Sequence, residues 1–378
     1  MSKINWKNYL NYIVVGAVLV ALTVLALVGG IPTSKLYLLE KIAISIILAV
    51  SLSLVVGFLG ELSLGHAGFM CVGAYMGGKI AAVLVEKTSM GVSNVFVLII
   101  ALIVGGLAAG VCGFIVGLPA LRLKGDYLAI VTLAFGEIVK TIFQNTSEES
   151  FGGLGGLRTP RYDKSYLFIF AFAMVLITLA VIQNLIKSKH GRAITAIRDN
   201  EIAAKAMGIN VTRYKLTGFV IAAIFAGFAG VLYSYSTPSI IEATTFGYNY
   251  SIDILVMVVL GGMGSINGAI ISATLITYLD ITLLTKLTGN LAIMKDLLYA
   301  LILILLVIYN NAPKLKSFRE KYNLQTLFAK FRKHDPAAER NDSGRWDVVP
   351  TKIEMNEVLS TDIVVKESVS EHGDKRGK

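Results

Sequence analysis

The chain alternates between long runs that carry no charged side chain and short polar segments. Most of these runs reach the length of about 20 residues that an α-helix needs to cross a bilayer. The helices of a soluble protein would keep a polar face, whereas these runs carry no charged residue at all. The pattern therefore predicts an all-α polytopic membrane protein. The uncharged runs are 8–34, 42–60, 62–78, 88–121, 165–186, 216–241, 254–279 and 297–313.

We predict eight to ten transmembrane helices in a permease domain that covers residues 1–313. The composition agrees, because 55% of the residues are hydrophobic and only 16% are charged. Residues 252–285 allow two interpretations: two short spans, or a re-entrant segment followed by a shallow return. The other predicted spans are 8–30, 42–60, 62–85, 94–121, a short one that opens at Asp126, 165–186, 216–236 and 291–310.

The net charge of +10 reflects membrane orientation and does not indicate a nucleic-acid partner. Lys and Arg cluster in loops that lie on the cytoplasmic side of membranes. If the basic loop 187–215 is cytoplasmic, the N-terminus and the segment with Arg122 and Lys124 are cytoplasmic too, and the polar loop 144–164 is outside. We expect a multi-pass protein of the plasma membrane with both termini in the cytoplasm. The polar segment 314–378 is expected to be a disordered cytoplasmic tail.

Glycine-rich segments interrupt two of the apolar runs. The first is GFLGELSLGHAG (57–68) and the second is LGGMGSINGA (260–269), with Gly261, Gly262 and Gly264 close together. Several glycines in one apolar stretch break a helix or let another backbone approach closely. The segments have similar glycine spacing, which indicates either two related halves of the chain or simply the high frequency of glycine. Each of the two segments predicts a broken or re-entrant helix.

Three ionisable residues that lie close to apolar spans are candidates for function, namely Glu61, His66 and Glu137, and Asp126, which opens the short fifth span, is a fourth candidate. A charge inside a membrane is costly, so such residues line a translocation path or hold broken helices together. The alternative for Glu61 and His66 is that they cap adjacent helix ends. The alternative for Glu137 is a simple ion pair with Lys140, one turn further along the helix.

Motifs for catalysis and cofactor binding are absent from the sequence. It contains no phosphate-binding loop of the form G-x-x-x-x-G-K-[ST], and no H-E-x-x-H, C-x-x-C or G-x-S-x-G motif. The four histidines have no metal-ligand spacing. We therefore predict a protein that is not an enzyme and that binds neither a metal nor a cofactor itself.

The loop 187–215 contains a short predicted helix. Asp199 and Asn200 are good N-caps, Glu201 suits the first turn, and Gly208 is a natural terminator. A helix of about two turns is not stable alone and needs a docking surface. Its alanines, among them Ala203 and Ala204, form a smooth ridge, and Arg198, Glu201 and Lys205 supply charged contacts. The alternative is an ordinary basic cytoplasmic loop.

Five motifs together resemble one protein family. They are GELSLGHAGF (60–69), GAY (73–75), RLKGDYLAIVTLAFGEIV (122–139), GRAITAIRDNEIAAKAMGIN (191–210) and VLGGMGSINGA (259–269). In this order they resemble the LivM-type permease of branched-chain amino-acid ATP-binding-cassette importers. Glu201-Ile-Ala-Ala-Lys-Ala-Met-Gly208 is similar to the cytoplasmic loop through which such permeases contact their ATPase.

The resemblance implies a division of labour among several subunits. The partners would be a LivH-type permease, cytosolic ATPases that use ATP and magnesium, an extracytoplasmic substrate-binding protein, and membrane lipid. The chain would let a substrate cross by alternating between outward and inward access. Two alternatives remain: a permease of the same family for urea or short amides, and an ion-coupled secondary transporter with Glu61 and Glu137 as proton or sodium sites.

Overall fold

The computed structural model describes residues 16, 32–88, 95–123, 125–159, 164–237, 240–283, 301 and 304. The predicted spans 8–30 and 291–310 lie almost entirely outside these residues, and Lys124 and the predicted tail 314–378 lie fully outside them. The boundary between permease domain and tail therefore stays a prediction.

The first part of the chain forms four long helices, followed by two short helical turns and a short strand. Helix α1 is Thr33–Ser53, and it continues as a π-helical turn, Leu54–Leu59. The next helices are α2 (His66–Thr88), α3 (Val95–Ala120), α4 (Asp126–Gln144) and the single turn α5 (Glu148–Phe151). A 3₁₀ turn, Gly153–Gly155, leads into strand β1, Leu157–Arg158.

The second part contains two long helices with two short ones between them, followed by a pair of shorter apolar helices. It comprises α6 (Lys164–Lys187), α7 (Lys189–Asp199), α8 (Glu201–Ala206) and α9 (Val211–Ser236). Strand β2 (Ile240–Ile241) and a 3₁₀ turn (Ala243–Phe246) precede α10 (Tyr248–Gly261). Helix α11 (Ile266–Tyr278) ends in a π-helical turn, Leu279–Leu283.

Six of the described helices are long and apolar enough to cross a membrane: α1 with its π turn, α2, α3, α4, α6 and α9. Among the described residues, β-structure is limited to the antiparallel pairing of Leu157 with Ile241 and Arg158 with Ile240. The predicted all-α polytopic fold is therefore confirmed. The helix count of eight to ten stays a prediction, because two predicted spans fall outside the described residues.

Helix α9 lies at the centre of the fold and packs against α1, α2 and α3. Small residues allow these helices to approach closely, as is common where lipid supplies no hydrophobic driving force. A Cβ added at Gly73 of α2 would lie 2.5 Å from the Cα of Gly227 of α9. Helix α3, by contrast, keeps an exposed apolar face that includes Phe96, Leu107 and Ile115. This face is suited to lipid or to another membrane helix.

The glycine-rich segment near residue 260 separates two short helices. Helix α10 ends at Gly261, the chain turns through residues 262–265, and α11 begins at Ile266. The two helices touch where Gly261 meets Gly268, because a Cβ at Gly261 would lie 2.5 Å from the carbonyl oxygen of Gly268. Residues 252–283 therefore form a pair of short apolar helices joined by a tight turn, and the choice between two short spans and a re-entrant segment stays a prediction.

Candidate functional site

The basic loop folds into two helices, α7 and α8, of which the sequence analysis predicted only the second. Ser188 caps α7, and its Oγ accepts hydrogen bonds from the backbone N–H groups of His190 (3.2 Å) and Gly191 (3.3 Å). The buried residues Gly191, Ile194 and Ile197 recur at three-residue spacing along one face of α7. This amphipathic spacing after a serine was the signal that could have revealed α7.

Helix α8 has the predicted caps. The Oδ1 of Asn200 accepts from the backbone N–H of Ala203 at 3.0 Å. At the other end, Gly208 donates to the carbonyl of Lys205 and Ile209 donates to that of Ala204, each at 3.0 Å. This pair of bonds is the Schellman arrangement, which requires a left-handed residue at the turn. Gly208 provides it with a φ of 79°.

A small apolar cluster stabilises the short helix from within the loop. Ala204 is buried together with Ile197 of α7 and Val211 of α9. Ala204 therefore faces inward and is not part of an outer ridge. The outer face of α8, taken to include its C-cap residue Met207, carries instead Ala203 and two large apolar side chains, Ile202 and Met207, which are 79% and 82% exposed. Neither Ile202 nor Met207 was among the contact residues predicted from the sequence.

Lys215 joins the loop to the first helix break, which we define as residues 54–65. It lies near the start of α9, and its side chain is only 6% exposed. Its Nζ forms an ion pair with Glu61 in the break and a second one, at 3.1 Å, with Glu201 of α8. One buried cation thus holds a carboxylate of the break and a carboxylate of the loop. The sequence contains no signal for this role of Lys215, because its partners Glu61 and Glu201 are 154 and 14 positions away.

The pKa of Glu201 is lowered by its partners in this network. The hydrogen bond from Lys205, at 2.7 Å, and the bond from Lys215 lower the pKa of Glu201 to about 2. Glu201 is consequently an anion at neutral pH. Glu201 and Lys205, which the sequence predicts as charged contact groups, form an ion pair with each other inside the loop.

Arg198 joins the loop to the first helix break and lies beside the second one. Its Nη1 donates to the carbonyl oxygen of Gly57 at 3.0 Å, in the π turn after α1. Its side chain packs so closely on Gly60 that a Cβ there would lie 2.7 Å from the Arg198 Cγ. The second break, which we define as residues 262–265, touches the same place: a Cβ at Gly264 would lie 3.6 Å from Nη1.

The two breaks also contact each other directly. A Cβ at Gly57 would lie 2.9 Å from the Cα of Gly264, so only glycine fits between these backbones. Gly262 and Gly264 both have positive φ, at 91° and 84°, which permits the tight turn between α10 and α11. The two glycine-rich segments predicted from the sequence therefore meet beside α7.

Neighbouring helices bind the backbone at the end of the first break and at the start of α2, where N–H groups have no partner within a helix. The N–H of Leu64, in the break, donates to Thr132 of α4 at 3.0 Å. The N–H of Ala67, in the first turn of α2, donates to Ser251 of α10 at 3.1 Å. Movement of α4 would therefore change a hydrogen bond of the break, and movement of α10 would change one at the start of α2.

Of the other predicted site residues, His66 and Asp126 begin helices, and Glu137 lies within α4. His66 begins α2, is buried, and shares a 2.8 Å hydrogen bond with Ser51 of α1. Glu137 forms an ion pair with Lys140, and its Oε1 accepts from the N–H of Tyr248, the first residue of α10, at 2.8 Å. Asp126 begins α4. Their roles in a translocation path stay predictions.

Replacement of Gly208 is expected to loosen α8. Gly208→Ala strains a left-handed position and destabilises the loop by about 1 kcal/mol. Gly208→Pro has a larger effect, because proline fixes φ near −65° and removes the N–H that bonds to Lys205. We expect faster amide hydrogen exchange across residues 201–207 in both variants. Gly155→Ala is the control, since a Cβ there meets nothing within 4 Å; unchanged exchange in Gly208→Pro would contradict the prediction.

The fold and the site together define a class of protein. The chain is a multi-pass helical membrane protein whose broken helices meet beside one short-helical loop. Broken helices of this kind are a recurrent feature of transporters. Comparison with known families then identifies the particular one: the family described as "Branched-chain amino acid transport system / permease component" matches residues 34–307, and the chain belongs to it. The resemblance recognised in the motifs is thereby confirmed.

Individual relatives agree with the family. The chain is 37% identical over 291 residues to the high-affinity branched-chain amino acid transport system permease protein LivM of Escherichia coli, over 68% of this chain and 66% of that protein. It is 37% identical over 264 residues to LivM of Salmonella typhimurium, over 62% and 60% of the two chains. It is 30% identical over 253 residues to a probable LivM of Methanocaldococcus jannaschii, over 59% and 73%.

The alignments leave part of each relative uncovered. The chain spans 66% and 60% of the length of the first two relatives. No solved structure matches the chain significantly.

Proposed function

We propose that the chain is the membrane-spanning permease subunit of an ATP-binding-cassette importer. It provides a path across the plasma membrane for branched-chain or similar small amino acids, and a separate subunit hydrolyses ATP. Family membership over residues 34–307 supports the class. The single structural observation that carries the mechanism is the direct tie between α7–α8 and the first helix break through Arg198 and Lys215, with the second break lying beside Arg198.

The outer face of α8 is the proposed contact with the ATPase. Ile202 and Met207 are large, apolar and exposed at the tip of a basic loop. Apolar anchors surrounded by polar groups are typical of the energetic centre of a protein–protein interface. Ala203 between them lets a partner surface approach closely. Lys205 and Arg213, both exposed, add charge at the rim.

Movement of the docked loop would reach the membrane helices through the two breaks. Arg198 holds the π turn of α1 and lies beside the turn between α10 and α11, while Lys215 holds Glu61. A displacement of α7–α8 would therefore tilt α1 and the α10–α11 pair together. Alternating access then follows as a rigid-body population shift, without covalent chemistry in this chain.

The remaining subunits follow from the same proposal. The ATPases bind ATP and magnesium on the cytoplasmic side, where α7–α8 and both termini lie. A LivH-type permease completes the membrane part, and lipid covers the rest of the apolar surface, including exposed residues of α3 such as Leu107. An extracytoplasmic substrate-binding protein delivers the amino acid to the opposite side. No nucleic acid takes part.

Uptake by the reconstituted complex tests the proposal. Proteoliposomes that contain this chain, its partner permease, the ATPases and the binding protein are expected to accumulate labelled leucine only with ATP inside. Leaving out the ATPases is the matched control and abolishes uptake. Leucine uptake by this chain alone, driven by a proton or sodium gradient, would contradict the proposal and favour a secondary transporter. Uptake of urea in place of leucine would contradict the substrate assignment.

A further inference from the structure

A polar cavity lies at the end of the fold opposite to α7–α8. Its volume is about 610 Å³, within the range typical of small-molecule sites. Its walls come from the first turns of α1, the last turns of α9, the start of α10 and the end of α11. Helix α1 connects the two regions, since its first turns line the cavity and its terminal π turn contacts Arg198.

Lys41 of α1 is the unusual group in this cavity. It lines the cavity, is only 9% exposed, and its Nζ has no hydrogen-bond partner among the described residues. The ammonium lies 3.3 Å from the ring centroid of Tyr233 and 5.3 Å from that of Tyr37, and Glu40 adds an attractive charge interaction. Cation–π contacts offset part of the desolvation, but none of them supplies an oxygen acceptor.

A second unpaired polar atom lies in the same cavity. The hydroxyl of Thr277 on α11 is buried and has no hydrogen-bond partner within the described part of the chain. Buried polar groups without partners are rare in folded proteins, and each one calls for an explanation. An ammonium and a hydroxyl that line one cavity together are suited to an anionic group such as a carboxylate.

The rest of the lining supplies the complementary chemistry. Asp253 of α10 and Asp280 at the end of α11 line the cavity. A carboxylate accepts up to about four hydrogen bonds, so these groups have capacity for a ligand ammonium beyond their existing contacts. Four apolar side chains also line the cavity: Ile252, Met257, Ile276 and Ile281.

We propose that this cavity is a binding site for a zwitterionic α-amino acid with an aliphatic side chain. The ligand carboxylate accepts from Lys41 and Thr277, and the ligand ammonium is held on the side of Asp253 and Asp280. The aliphatic side chain lies against the apolar wall. This inference rests on the proposed function, which it deepens by placing a substrate site within the permease. The permease would then contribute its own selection step.

Direct binding tests the site in the complete complex. Labelled leucine is titrated into the detergent-solubilised assembly of both permeases and the ATPases, without the binding protein. We expect Lys41→Met to weaken leucine binding by about tenfold or more, because a charge-assisted hydrogen bond is lost. Lys35→Met is the matched control, since Lys35 is exposed on the same helix, and it should bind as the wild type does. Neither 4-methylpentanoate nor isoamylamine should compete, because each lacks one charge of the zwitterion.

The stability of the variants separates binding from folding. Removal of a buried ammonium without an oxygen partner should leave the thermal stability of the ligand-free complex unchanged or raise it. If Lys41→Met fails to assemble, Thr277→Val decides, since it removes one hydroxyl at nearly constant volume and should weaken leucine binding severalfold. Wild-type affinity in Thr277→Val or in an assembled Lys41→Met complex would overturn the site.

Leucine uptake by a wild-type complex that shows no leucine binding in this titration would also overturn the site, while the proposed function would stand. An absence of ATP-driven leucine uptake would instead refute the proposed function.

Discussion

Replacement of Arg198 by alanine is expected to uncouple ATP hydrolysis from uptake. The guanidinium is the contact that joins α7 to the π turn of α1 and lies beside the second break. A hydrogen bond from a charged group contributes about 1.5–3 kcal/mol, so its loss should lower uptake per ATP hydrolysed by about tenfold or more. The measurement is the ratio of leucine uptake to phosphate release in proteoliposomes. Assembly with the ATPase should persist, because the exposed face of α8 is unchanged.

Two further variants sharpen this test. Arg198→Lys keeps the charge but loses the fork that binds Gly57 and Asp199 at once, so it should recover only part of the coupling. Arg192→Ala is the matched control, because Arg192 is an exposed arginine on the same helix. If Arg198→Ala keeps the wild-type ratio of leucine uptake to phosphate release, Arg198 is not needed for coupling.

Replacement of Lys215 by methionine is expected to destabilise the membrane domain. The change leaves Glu61 and Glu201 facing each other, 12% and 25% exposed, without the cation that now separates them. Loss of one partner of a buried ion pair costs about 3–5 kcal/mol. The apparent melting temperature of the detergent-solubilised complex should therefore fall clearly below that of the wild type.

A double variant distinguishes stability from coupling. Lys215→Met combined with Glu61→Leu replaces the buried pair by apolar groups and should recover much of the lost stability. It should not recover coupling, because the tie from the break to Glu201 is absent. A single variant as stable as the wild type, or a double variant with normal coupling, would contradict the role of this network.

The sequence predicted the helices well where charge marks their ends. Helix α3 was predicted at 94–121 and is Val95–Ala120, and α8 has its predicted cap and terminator. The span at 42–60 is predicted to begin after Lys41, because Lys35, Glu40 and Lys41 interrupt the uncharged run. In the structure, helix α1 begins at Thr33 and includes all three residues. The first turns of α1 were thereby assigned to a loop, and Lys41 was overlooked as a buried group.

The contacts that define the site could not be predicted from the sequence. Arg198 and Gly57 are 141 positions apart, and Lys215 and Glu61 are 154 apart. Such pairs depend on how the helices pack, and spacing along the chain contains no information about them. The glycine-rich segments did predict breaks, but not that the two breaks touch. The same limit applies to Ala204, whose inward direction depends on Ile197 and Val211.

Site-directed cross-linking tests the central claim most directly. In a background with Cys71 and Cys112 replaced by serine, Ile202→Cys is placed on the outer face of α8 and Leu154→Cys on the predicted outer loop. Both parent residues are exposed, at 79% and 83%. A short bifunctional reagent should link position 202 to the ATPase, while position 154 should react only with impermeant maleimide added from outside the cell. Cross-linking of the ATPase from position 154, or maleimide labelling of position 202 from outside, would contradict the account.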